Sequence, residues 1–342
     1  MNFRPLAVAI AVIFAAISLE ANAKYSAVKF AAADGVNLNA RVYEPSGMPT
    51  SKPAVLLVEG FGKSHLDKEP ESSPFFQLAQ ALSDQGFFVL TYSKRGSSSN
   101  SKNGSWAKAT FWSDNKDAQA ALDYLQAYRG VDKNNVYLFG QSIGCLQTSI
   151  LAQKNPVKGL IVFAGGYQNF LNILEEQNLG ILDLMGKKPE EAKKEIAPMM
   201  QAYSDIKSGK LNCDAYKSLC RVEDGATIVD DSQEKYMAEV FRLDPLAELG
   251  KVSVPVLVLQ GTSDFVISVK QFELAKKSLA PKKNFSFQVL EGVDHFMSDQ
   301  NGRAGSLQSM AKIKQTKTLS PLSPKLLGAT ETWLKSHAST AL

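Results

Sequence analysis

Histidine and cysteine are scarce in this chain, with three of each among 342 residues. Cys145, Cys213 and Cys220 form no C-x-x-C pair, and the histidines do not stand at metal-ligand spacing, so the sequence calls for no metal. It has no run of five or more Lys or Arg. The net charge of +4 is spread along the chain, which removes the main electrostatic signature of nucleic-acid binding. No stretch reaches the ~20 apolar residues that span a bilayer. Internal repeats and low-complexity segments are missing too. What remains, 44% hydrophobic and 21% charged, is ordinary globular composition. The length suits one large α/β domain with an insertion, or two smaller domains.

The first residues read as an export leader. Arg4 and the amino terminus are positive, Leu6 to Ile17 is an unbroken apolar run, and Ala21-Asn22-Ala23 is a small-x-small cleavage site. Residues 1–23 are therefore expected to be removed, leaving a product that starts at Lys24 in the periplasm or outside the cell with no stable membrane span. An oxidising compartment permits a Cys213–Cys220 bridge. On a continuous helix seven residues separate Cα atoms by ~10 Å, beyond the ~7 Å reach of a disulfide. A bridge thus requires a break between them, and two free thiols are the alternative. Cys145 reads as a small buried hydrophobe.

Short strand-like runs, Ala27 to Ala31 and Val36 to Tyr43, flank the turn signal Asp34-Gly35. Ala54 to Val58, Phe87 to Tyr92, Val136 to Phe139, Val157 to Phe163, Pro255 to Leu259 and Phe285 to Leu290 are continuous apolar runs, the pattern of strands covered on both faces. Phe75 to Gln85, Trp112 to Tyr128, Cys145 to Gln153 and Leu326 to His337 read as helices. Such alternation predicts an α/β class protein, with a mostly parallel, doubly wound sheet. It stops after Tyr167 and resumes near Gly250. Between them the chain is Lys/Glu-rich and helical, as at Pro189 to Ile206. The expected organisation is a core of residues 24–166 and 251–342 with a helical cap insertion at 167–250.

Gly140-Gln141-Ser142-Ile143-Gly144 fits the G-x-S-x-G nucleophile elbow, and it lies between a strand and a helix. The chemistry needs a sharp turn that exposes the serine, flanked by residues small enough to tolerate the crowding. A serine hydroxyl needs a base to take its proton. Of the three histidines, His337 is near the C-terminus in a surface helix, His65 follows the first buried strand, and His295 follows the last one. The base needs an acid to orient it, and Asp264 lies in the loop after Pro255 to Leu259. Asp294 is adjacent to His295, so the two side chains diverge, and it reads as a surface or capping residue. Asp299 would need a tight fold-back. Groups placed after parallel strands converge at their carboxyl ends, so Ser142, Asp264 and His295 are the expected catalytic residues. The oxyanion donors are expected to be the backbone N–H groups of Phe61 and Ile143.

Together these residues resemble the α/β-hydrolase superfamily, whose chain order is Ser, then acid, then His. Asp34-Gly35, Tyr92 to Gly96 and Pro255 to Asp264 match its landmarks. Phe241 to Asp264, with its Asp244-Pro245-Leu246, and Leu290 to Phe296 are similar to a group of bacterial exported esterases related to the dienelactone-hydrolase and prolyl-oligopeptidase-like families. The resemblance implies an α/β-hydrolase fold and cofactor-free hydrolysis of carboxylic esters, a small-molecule substrate of short to medium acyl length, by an acyl-enzyme on Ser142. Two departures stand out. Relatives often carry His-Gly where this chain has Glu59-Gly60, and an Asp with more Gly around Arg95-Gly96, where it has Tyr92-Ser93-Lys94 and Ser97-Ser98-Ser99. Arg95 reads as a brace between loops. Phe170, Leu171, Leu174, Leu179, Leu182, Leu184 and Met185 are candidate pocket residues, with cap packing as their other role. Trp106, Phe111 and Trp112 stand between lining an entrance and packing. The other readings of the same residues are a serine peptidase or thioesterase with this triad, and a hydrolase-fold binding protein without activity. Expressed whole in a bacterial host, the chain should yield an exported product whose N-terminal residue, read by Edman or mass-spectrometric sequencing, is Lys24.

Overall fold

The computed structural model describes residues 25–46, 51–62, 66, 72–97, 108–210, 234–316 and 319–338. The leader, His65, Trp106, Cys213 and Cys220 lie outside the described residues. Strands β1 (Tyr25–Ala31) and β2 (Asn37–Tyr43) form a hairpin around Asp34-Gly35. Then follow β3 (Lys52–Val58), α1 (Pro74–Asp84), β4 (Phe88–Tyr92), α2 (Phe111–Gln126), β5 (Val131–Gln141), α3 (Ile143–Lys154) and β6 (Gly159–Phe163). Four helices come next: α4 (Phe170–Leu184), α5 (Pro189–Ser208), α6 (Glu234–Val240) and α7 (Pro245–Gly250). The chain ends with β7 (Val256–Gly261), α8 (Val269–Leu279), β8 (Phe285–Leu290), α9 (Gly302–Thr316) and α10 (Pro324–His337).

The eight strands lie in one sheet in the order β1-β2-β4-β3-β5-β6-β7-β8. β2 runs antiparallel to β1 and β4, and every pairing from β4 through β8 is parallel. The apolar runs supply two cores because side chains alternate across a strand. Along β3, Ala54, Leu56 and Val58 join the layer under α2, α3 and α8. Val55 and Leu57 join the opposite layer under α1 and α10, with Trp333 and Leu334. Burial on both faces explains why these strands read as unbroken apolar runs.

Two elements differ from the sequence expectation. β5 begins five residues before the apolar run, and α9 stands where no helical periodicity was legible. Its Gly302, Gly305, Ser306 and Ser309 dilute the apolar spacing and have low helix propensity or turn character. Between β6 and β7, α4 and α5 pack on one another through Tyr203, Ile206, Leu182 and Ile196, and α6 joins them to α2 and α3 through Tyr236 and Val240. Among the described residues no helix is long and apolar enough to cross a membrane.

Arg95, just past β4, ties the hairpin to α2. Its guanidinium binds Asp34 at 2.7 Å and Asp117 at 2.5 Å. Asp117 is buried, and burial pushes its carboxyl up while the guanidinium opposes the shift. Removing one member of a buried pair leaves an uncompensated charge. Arg95→Met should therefore lower the unfolding free energy by about 3–5 kcal/mol in urea denaturation.

Candidate active site

The sheet delivers three loops to one end. β5 runs into Gln141 and the chain turns at Ser142, which sits at φ 57° and ψ −123° before α3 starts at Ile143. That backbone region is strained for a residue with a side chain. The turn is forced by close packing. A Cβ at Gly140 would run into Thr148 and the Gly144 carbonyl, and one at Gly144 would meet the Val58 and Glu59 carbonyls. Ser142 N–H is held by the Phe163 carbonyl at 3.0 Å. The hydroxyl is half-buried and faces a cavity.

Asp264, in the loop after β7, is buried and fully engaged. Its Oδ1 accepts from the Val266 and Ile267 amides, each at 2.8 Å. Its Oδ2 accepts from Gln260 Nε2 at 3.2 Å and pairs with His295 Nδ1 at 2.9 Å. A carboxylate only accepts, so Nδ1 carries the proton and Nε2 is the ring's acceptor. The two loops are stitched together beside this contact, Ser263 N–H to the Val293 carbonyl at 3.0 Å and Gly292 N–H to Thr262 Oγ1 at 2.8 Å. His295 lines the same cavity as Ser142. Among the described residues the Ser142 hydroxyl makes no hydrogen bond; such contacts often close only around substrate.

Asp294 is not at the surface, contrary to expectation. It is buried and accepts from Phe296 N–H at 2.9 Å, Ser298 N–H at 3.0 Å and Ser306 Oγ at 3.0 Å, so it shapes the loop that carries His295. Asp299 binds Ser323 Oγ at 2.7 Å instead of the histidine. His337 stacks on Trp333 within α10. Cys145 is free and buried, and burial pushes its thiol up.

Phe61 and Ile143 both line the cavity. Ile143 is the first residue of α3, where backbone N–H groups lack helical partners. Two residues that the motif reading passed over organise this region. Gln141, the variable position of the elbow, accepts from Gly60 N–H at 2.8 Å and donates to the His295 carbonyl at 3.0 Å. Lys94 Nζ donates to the Gly60 carbonyl. Gly60 leaves no room for a side chain, since a Cβ would stand 2.6 Å from Gln141 Oε1 and 2.9 Å from Ser142 Cβ. No periodicity or motif marks a glutamine or lysine for such work.

The cavity is an open cleft of about 1150 Å³. Phe61, Phe75 and Tyr236 bound it near the serine; Phe170, Ile173, Leu174 and Ile181 of α4 form one wall; Leu307, Met310 and Ile313 of α9 form another. Of the anticipated pocket residues, Phe170 and Leu174 line it. Leu171, Leu179 and Leu182 pack between helices, Leu184 is half-buried and Met185 is exposed. Phe111 packs edge-on against Tyr236, and Trp112 is exposed. Glu59 is the one acidic side chain of the lining among the described residues, and no Lys or Arg contributes.

Strand order, elbow and the converging loops define an α/β hydrolase. Residues 49–299 match the serine aminopeptidase S33 family, and the chain belongs to that family. It is similar to Esterase EstD of Thermotoga maritima, 23% identical over 262 residues, which cover 76% of this chain and 58% of that esterase. The chain thus spans less than two thirds of that relative's length. Among solved structures it resembles the acylaminoacyl peptidase of Pyrococcus horikoshii, at TM-score 0.57 and 13% identity over 93% of this chain and 42% of that one. It also resembles Est1E of Butyrivibrio proteoclasticus, solved with ferulic acid bound, at TM-score 0.55 and 16% identity over 85% and 98%. At such identities the likeness is one of fold. The chain has the α/β-hydrolase fold.

Gln141→Leu removes the bonds to Gly60 and His295. With a partly buried donor and acceptor left unmatched, it should cost about 1–3 kcal/mol, read as a lowered melting temperature.

Proposed function

We propose that this protein is an exported serine hydrolase of carboxylic esters with Ser142 as nucleophile, His295 as base and Asp264 as the acid that orients it. The observation that carries the reading is the apolar cavity with Ser142 and the His295–Asp264 pair at one end. His295 Nε2 takes the Ser142 proton as Oγ attacks the ester carbonyl. The Phe61 and Ile143 amides hold the oxyanion. The alcohol leaves with the proton from His295, and water repeats the sequence on the acyl-enzyme. Export rests on the leader at residues 1–23, and segment 167–250 is proposed as the cap, with α4 as its pocket-facing helix.

The cavity argues for a larger acyl group than short to medium chains. Ligand pockets run roughly 300–1,000 Å³, and this one, at about 1150 Å³, is apolar along both α4 and α9. Esters with long or bulky apolar acyl groups fit it. A free aminopeptidase substrate would bring an ammonium group, and Glu59, the single acidic residue of the lining among the described residues, sits in the field of Lys94. That favours esters over peptides.

Nitrophenyl esters from acetyl to palmitoyl, with an aminoacyl nitroanilide beside them, test the reading. Each buried methylene contributes about 0.8 kcal/mol, so kcat/KM should rise about fourfold per added methylene until the cavity is full. Ser142→Ala should abolish turnover by several powers of ten. Cleavage of the anilide alone would make the protein a peptidase. Silence on every substrate, with no labelling by an organophosphonate, would make it a binding protein.

A further inference from the structure

We propose that Lys94 is a positioning residue for the oxyanion loop, which it holds from behind through the Gly60 carbonyl. The inference rests on the reading of Ser142 as nucleophile and of the Phe61 amide as an oxyanion donor. The Gly60 carbonyl and the Phe61 N–H belong to the same amide. That amide is planar and trans, so the two groups point in opposite directions. An ammonium fixed on the carbonyl oxygen therefore aims the N–H away from itself, and Phe61, Ser142 and Ile143 all line the cavity. The preceding plane is fixed as well, because Gly60 N–H donates to Gln141 Oε1 at 2.8 Å. A cation on the carbonyl also draws electron density through the amide and strengthens the N–H as a donor.

Lys94 is held for this task. It is 3% exposed, and its neighbour Arg95 is anchored to Asp34 and Asp117. Burial pulls the ammonium down, and Asp114, Glu59 and Asp117 oppose that. Asp114, on the first turn of α2, is the strongest of these. Both its oxygens are buried without a hydrogen-bond partner among the described residues, and burial pushes it up to about 7 against the pull of Lys94. Asp114 thus acts on Lys94 through charge and not through a hydrogen bond. Packing alone would be served by an apolar side chain. The two departures from the esterase pattern, Glu59 and the segment of Lys94, thus act on each other around one loop.

The test uses the full chain carrying Lys94→Met, Lys94→Met with Asp114→Asn, and Lys94→Arg. The double variant removes the opposing buried charge along with the ammonium, so it folds where the single one fails. Two ketones with the same apolar chain are compared. Ser142 Oγ adds to the carbonyl carbon of the trifluoromethyl ketone, its proton goes to His295, and a tetrahedral oxyanion forms. The methyl ketone binds without this addition. Losing one oxyanion donor outright costs about 10²–10³ in kcat; the neutral variants, which keep the donor but release its plane, should lose about 10–100-fold. KM should stay within about twofold, and trifluoromethyl ketone affinity should fall by the kcat factor with methyl ketone affinity unchanged. Lys94→Arg should recover most of the loss. An unchanged kcat in a folded variant, or equal loss for both ketones, overturns the proposal. Wild-type protein that binds the trifluoromethyl ketone but cleaves no ester sinks the ester reading, and the ketone comparison still decides Lys94. Wild-type protein that binds neither ketone removes Ser142 as nucleophile and the proposal with it.

Discussion

Everything at this end of the sheet depends on how closely β5 and α3 approach the end of β3. Gly140 and Gly144 bring backbone against backbone where any side chain would collide, and the residue between their neighbours is forced to φ 57°. The strain is local and is sustained by the sheet on either side, where β3 and β5 pair from Ala54 to Val58. Because the same contact sets the height of the β3 exit, it also sets where Gly60 and Phe61 lie relative to Ser142. Ser142 and this loop are placed by one packing event.

The rest of the site follows from hydrogen bonds between loops. Asp264 is immobilised by two amides and a glutamine before it meets His295. Gln141 then ties the His295 loop to Gly60. The geometry is therefore set by hydrogen bonds between loops, which is how a site can be held to a fraction of an ångström.

Much of this was legible in the sequence. Unbroken apolar runs announced the parallel strands because both faces of the sheet are covered, and G-x-S-x-G announced the turn because its glycines are a steric necessity. Asp264 and His295 were legible because each follows a strand. The brace made by Gln141 and Lys94 was not, since it joins residues 34 and 81 positions from Gly60 and has no local pattern. The inward burial of Asp294 was missed because its partner, Ser306, lies on a helix with no readable periodicity. The pocket was only partly legible. Apolar residues on α4 face either the cavity or the neighbouring helices, and sequence spacing does not separate these.

Both walls of the cavity are tied to the loops that carry the Asp264–His295 pair. Glu176 of α4 accepts from Ser268 Oγ and Gln271 Nε2, just past Ile267, whose amide holds Asp264. On α9, Ser306 donates to Asp294 and Ser309 accepts from Gln300, whose N–H meets the Gly292 carbonyl. Reshaping either wall therefore pulls on the loops behind the pair, so the shape of the cavity and the setting of the histidine should change together.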